Sequence, residues 1–142
     1  MNSADPFNLQ RFIDAQASTY ANALDEIRSG RKTSHWMWFI FPQIAGLGHS
    51  AMAQRYAISG RKEAAAYLAH PLLGARLREC AAALNRLPGG DAEAIFGGVD
   101  AMKLKSSLTL FNAVGGPEEA FAACLAKYYG GVPDAATLRI MG

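Results

Sequence analysis

The sequence predicts an all-α fold: a compact bundle of roughly seven to nine helices around a short buried Trp-rich helix. Three observations carry this reading. Apolar residues recur every three to four positions along most of the chain, most clearly from Leu72 to Leu87. The runs are separated by short Gly- and Pro-bearing breaks such as Gly30, His70-Pro71, Pro88-Gly89-Gly90 and Gly130-Gly131. No segment alternates apolar and polar with a period of two, so nothing offers a partner for a strand.

Asp5 and Pro6 suit a first helix start, Asp as a cap and Pro in the first turn. From there Phe12, Ile13, Tyr20, Leu24 and Ile27 extend a helical pattern to Ser29, as one helix or as two joined at Ser18. Gly30 closes it. Ser34 then reads as the cap of a short helix carrying His35-Trp36-Met37-Trp38-Phe39-Ile40-Phe41, which Pro42 ends by removing an N–H and restricting Phe41. Large apolar side chains on nearly every side predict that this helix is surrounded by others. A buried strand is the alternative for such a run, disfavoured because no second strand exists.

Gly46 and Gly48 make a loop, and Ser50 caps a helix with Met52, Arg55, Tyr56 and Ile58. Helices follow over 61–69 and 72–87, the latter with Leu73, Leu77, Cys80, Leu84 and Leu87 on one face. Asp91 caps a short helix ending at Gly97-Gly98. Asp100 starts another through Leu104, Leu108 and Phe111. Pro117-Glu118-Glu119 reads as the start of the helix bearing Phe121, Cys124 and Tyr128. A last short helix spans 134–140.

A chain of 142 residues suits one domain over 1–142, with residues 1–5 as a flexible tail. The net charge of +2, without a Lys/Arg cluster, argues against a nucleic-acid partner. No apolar run approaches the ~18 residues of a membrane span, and the start of the chain lacks a signal-peptide pattern. A cytoplasmic location is expected, with Cys80 and Cys124 as buried free thiols. Without His-x-x-x-His or Cys-x-x-Cys spacing, neither metal nor cofactor is expected. Asp25-Glu26 and Glu118-Glu119 read as solvated helix surface.

The run Gly30-x-Lys32-x-x-His35-Trp36-Met37-Trp38-Phe39-Ile40-Phe41-Pro42-Gln43 resembles the DUF1810 family of small uncharacterised bacterial proteins. So do Arg11-Phe12 with Ala15-Gln16, Tyr67-Leu68 with His70-Pro71-Leu72-Leu73-Gly74, and Asp100-x-x-Lys103-x-x-Ser106-Ser107-Leu108-Thr109-Leu110-Phe111. The resemblance implies a small helical protein and assigns no residue a catalytic role. Some members are called calpastatin. An inhibitor module of that kind would be largely disordered, which this apolar, patterned chain does not fit.

Candidate residues therefore follow from chemistry alone. His35, at the expected helix start, offers an acceptor nitrogen as a base or ligand contact; bonding within the fold is the plainer role. Trp36 and Trp38 stand about 200° apart on an ideal helix, so at most one faces a given pocket and core packing of both is the simpler expectation. Gln43 offers an amide at the helix exit, to a ligand or to its own loop. Asp100, Lys103 and Ser107 fall on one helix face, with Ser106 and Thr109 beside it. A lysine among hydroxyls could hold an anion or activate a serine; the plain alternative is a cap, a solvated lysine and hydroxyls bonded one turn back. Arg11, Lys32 and Arg55 are further pocket members if buried, since a desolvated cation needs an anion. Together these predict binding or turnover of a small anionic or nucleotide-like ligand between His35–Gln43 and Asp100–Thr109. The alternatives are an interaction or adaptor domain with an aromatic groove, or a self-associating structural domain.

Overall fold

The computed structural model describes residues 5–116 and 118–142. Among them ten helices follow one another: α1 (Gln10–Gln16), α2 (Tyr20–Arg28), α3 (Met37–Ile40), α4 (Ala51–Arg55), α5 (Arg61–Ala69), α6 (Leu73–Arg86), α7 (Ala92–Phe96), α8 (Gly98–Gly115), α9 (Phe121–Tyr129) and α10 (Ala135–Met141). No sheet forms among the described residues, where extended pairing is limited to an isolated parallel bridge between Ile44 and Ile58. The fold is an all-α bundle, as expected, with more helices than expected because several are single turns.

The centre of the bundle is α8, not the Trp-rich segment. This 18-residue helix packs against α5, α7, α9 and α10, and every residue from Ser106 to Phe111 is buried. Small hydroxyl side chains between Leu104, Leu108, Leu110 and Phe111 allow neighbours on several sides. An aromatic series crosses the core from α1 to α9: Phe12 and Tyr67 at 5.1 Å, Tyr67 and Phe111 at 5.3 Å, Phe111 and Phe121 at 6.2 Å. Gly97, at φ +82°, makes the turn between α7 and α8 that a side chain would strain.

Several helix starts differ from the sequence reading. The carboxylate of Asp5 accepts from the N–H groups of Leu9 (2.7 Å) and Gln10 (3.0 Å), so it caps from upstream and α1 begins at Gln10. Of the tail expected over 1–5, residues 1–4 lie outside the described residues. The break between α1 and α2 falls around Ser18, as one of the two expectations had it. α4 stops at Arg55, and Ile58 enters the bridge with Ile44. The start expected at Pro117 falls on a residue outside the described ones, and α9 begins at Phe121. Glu119 is drawn instead to Arg78, whose guanidinium donates to both carboxylate oxygens (2.8 and 2.7 Å) and holds that carboxyl below its usual range.

α3 is a single four-residue turn. Ser34 does not cap it. The N-cap is Trp36, with no side-chain cap bond, and Ser34 donates its hydroxyl to Glu26. Cys80 and Cys124 are buried free thiols, Cys124 donating to the Ala81 carbonyl at 3.3 Å, and burial pushes both up to about 12.

Candidate functional site

The turn before α3 is shaped by a carboxylate read from sequence as solvated. Glu26 is 8% exposed. Its oxygens accept from Thr33 N–H (2.6 Å), Ser34 N–H (3.0 Å), the Trp36 indole (3.0 Å), the Asn22 amide (2.7 Å) and the Ser34 hydroxyl. Burial pushes this carboxyl up, but hydrogen bonds from the Ser34 hydroxyl, Thr33, Trp36 and the Ser34 amide outweigh it and hold it at about 2. Trp36 is thereby fixed in the core with no exposure.

The same turn delivers Lys32 to the first turn of α8. Its ammonium lies 2.9 Å from Asp100 Oδ2, donates to the Ser34 carbonyl at 2.5 Å, and sits 5.0 Å from the centre of the Trp36 ring. The other Asp100 oxygen is 3.7 Å from Lys103 Nζ, and Lys103 lies 5.4 Å from the Trp38 ring. Each tryptophan therefore faces a lysine, and both lysines face one carboxylate. Trp36 lies within the core, and Trp38 is half-buried and packs against it.

Next to Lys103 lies a groove of about 310 Å³. Gln43, Leu47 and Gly48 line it from the segment after α3. Val99, Met102, Lys103 and Ser106 line it from α8, and Asp134 and Ala136 from the start of α10. Gln43 is held in place by its backbone, whose carbonyl accepts from Ile58 N–H at 2.8 Å. The two segments singled out from sequence thus meet here, through Gln43 and Lys103. A larger depression of 460 Å³, under α1 and the end of α5, offers less chemistry. Its Asp5 and its His70 both accept from backbone N–H groups as local caps.

The remaining candidates are placed as follows. His35 is exposed, two residues ahead of α3, and does not line the groove. All five N–H donors of Arg11 are taken, by the carbonyls of Phe7, Asn8, Arg55 and Ala57 and by Glu63 at 2.8 Å. It ties α1 to α5 and to the loop between α4 and α5. Arg55 is exposed, 5.4 Å from the Tyr56 ring. Ser106 donates to Met102 O and Thr109 to Lys105 O, one turn back, as hydroxyls in helices commonly do. Ser107 is fully buried and its hydroxyl has no hydrogen-bond partner among the described residues, so it makes no hydrogen bond with Lys103. Among the described residues no three His, Cys, Asp or Glu side chains group as a metal site, and no helix is long and apolar enough to cross a membrane.

Residues 6–141 match the model of a family described as proteins of unknown function, DUF1810. The chain belongs to the DUF1810 family. The crystal structure of a conserved hypothetical protein from Mycobacterium tuberculosis, Rv1873, is similar over 96% of this chain and 98% of its own, at 50% identity and a TM-score of 0.90. No curated protein matches the chain. The stretches that carried the DUF1810 resemblance make the ties between helices: Lys32 and Asp100 one ion pair, Arg11 with Glu63 another. Gln16 donates to Phe39 O (2.8 Å) and Tyr67 (3.2 Å). Sequence reasoning missed Glu26 and the groove residues Leu47, Val99, Met102 and Asp134. The one available signal was weak: Asp134 stands at a helix start, and nothing local shows what a cap faces.

Proposed function

We propose that this DUF1810 protein binds a small anionic ligand, nucleotide-like in size, in the groove between Gln43 and Lys103. One observation carries this reading: Lys103 has a loosely paired ammonium, 3.7 Å from a carboxylate shared with Lys32, at the edge of a mostly apolar cavity. Asp100 is 3.7 Å from it but 2.9 Å from Lys32, so the tighter pairing belongs to Lys32. An ammonium over an indole beside apolar walls pairs with an anion more strongly than one in bulk water. The volume of about 310 Å³ lies at the small end of the ~300–1,000 Å³ of ligand sites. Binding is better supported than turnover, because Ser107 is buried away from the groove. Calorimetric titration with nucleoside monophosphates and sugar phosphates tests the reading. A ligand whose Kd rises about tenfold in Lys103→Ala and stays unchanged in His35→Ala supports it. Binding unaffected by Lys103→Ala rejects the location.

A second reading rests on Val99 and Met102, which are 70% and 72% exposed at the rim of the groove. Large apolar side chains left open there also suit a peptide partner or self-association. Sedimentation at rising concentration distinguishes self-association from a monomer that binds a small molecule.

A further inference from the structure

We infer, building on the groove reading above, that the ligand is dipolar: it carries an anionic group for Lys103 and a separate N–H donor for Asp134. Asp134 is fixed in place. Its backbone N–H donates to Thr109 Oγ1 at 2.9 Å, which anchors the start of α10 to α8. Its Oδ2 accepts from the Thr137 N–H (3.0 Å) and hydroxyl (2.6 Å). Oδ1 has no partner among the described residues, and Asp134 lines the groove. The groove is therefore lined by a cation from α8, a carboxylate held by the cap of α10, and the apolar residues Leu47, Val99 and Met102.

Size makes the carboxylate matter. A cavity of about 310 Å³ is about 8 Å across if taken as a sphere, comparable with the Debye length of ~8 Å at physiological salt. A ligand that is only anionic meets incompletely screened repulsion from Asp134. One that adds an amino N–H turns the same carboxylate into an acceptor, and charge-assisted hydrogen bonds are the stronger kind. Apolar walls disfavour polyols and polyanions. Aminated nucleoside monophosphates and apolar amino acids share the required chemistry, and paired probes separate them.

The experiment compares ligands that differ in the amino group alone: CMP with pyrimidin-2-one riboside monophosphate, AMP with purine riboside monophosphate, and leucine with 4-methylpentanoate. Each is titrated calorimetrically into the full chain and into Asp134→Asn, which keeps a capping side chain at α10. The expected result is a preference of about tenfold for the aminated member of at least one pair, falling to about twofold or less in Asp134→Asn. Equal binding of both members, lost in Lys103→Ala, overturns the dipolar ligand and leaves the anion site standing. So does a preference that survives Asp134→Asn. No binding by any probe overturns both readings.

Discussion

Lys32 Nζ lies 2.9 Å from Asp100 Oδ2, with 7% of the lysine and 20% of the aspartate side chain exposed, so the pair joins the turn before α3 to the first turn of α8 largely away from water. Removing one member strands the other. Asp100→Ala is expected to cost about 3 kcal/mol in urea unfolding, since a buried charge then lacks its counterion. Lys32→Met together with Asp100→Leu should recover most of that loss, because the desolvation penalty goes with the charges. A cost below about 1 kcal/mol for Asp100→Ala would show that Lys32 finds water in the folded state.

Glu26 makes stability depend on acid. Its carboxyl is held at about 2, below its ordinary value of 4.5. Between these values the unfolded chain binds more protons than the folded one, so stability rises with pH. The contribution is complete above about pH 5 and is lost as pH falls toward 2, by up to about 3 kcal/mol. Glu26→Gln should be less stable at neutral pH and flatter than the parent between pH 5 and 2. Parallel urea midpoints across that range would contradict the assignment.

Gly74 sits where the first turn of α6 meets the end of α5. A Cβ there would lie 2.1 Å from the carbonyl oxygen of Leu68, a backbone atom that cannot rotate away. Gly74→Ala is expected to cost about 3 kcal/mol or more, against the small gain in helix propensity that the same change gives elsewhere. Thermal unfolding of Gly74→Ala checks this, with Gly89→Ala as a comparison where no atom lies within 4 Å of the added Cβ. Gly89 has φ +79°, so its substitution costs strain without a clash.

What was legible in the sequence is what local chemistry determines. The apolar face of α6 and the Gly and Pro breaks follow from spacing within a few residues. Gln43 and Lys103, candidates by residue type, line one groove, whereas His35, a candidate beside them, does not. What was hidden depends on residues far apart in the chain. Ser34 is an ordinary cap by local rules, but Glu26, eight positions earlier, takes its hydroxyl. Glu119 is an ordinary first-turn acid, but Arg78 takes it across 41 positions. Glu26 read as surface because acids usually are; four of its five donors, from Thr33, Ser34 and Trp36, reach it only after the turn closes. The Trp-rich segment read as central because it is dense, yet α8 takes that place through small side chains that allow close packing.

Arg11 separates a structural arginine from a ligand arginine. All five of its donors have acceptors within the chain, including the buried Glu63, which is 3% exposed and also accepts from Ser59 N–H at 2.9 Å. Lysine cannot reproduce that planar array. Arg11→Lys is expected to lower unfolding stability by about 2 kcal/mol while leaving the Kd of any groove ligand unchanged at temperatures where the variant is folded. A variant of native stability that loses binding would reverse the assignment.

Met102 gives the opposite pattern and separates the two functional readings. At 72% exposure it contributes little to folding, so Met102→Ala should move the urea midpoint by no more than about 0.5 kcal/mol. Its side chain walls the groove beside Lys103. If a small ligand covers it, its loss removes apolar contact worth about 1.4 kcal/mol, a tenfold rise in Kd. Met102→Glu should raise Kd further, placing a second carboxylate in a cavity that already holds Asp134. If the groove instead receives another protein or a second copy of this chain, both substitutions shift an association constant measured by sedimentation and leave small-molecule titrations unchanged. The pair of measurements therefore decides what the exposed methionine is for, because folding alone gives no reason to leave it in water.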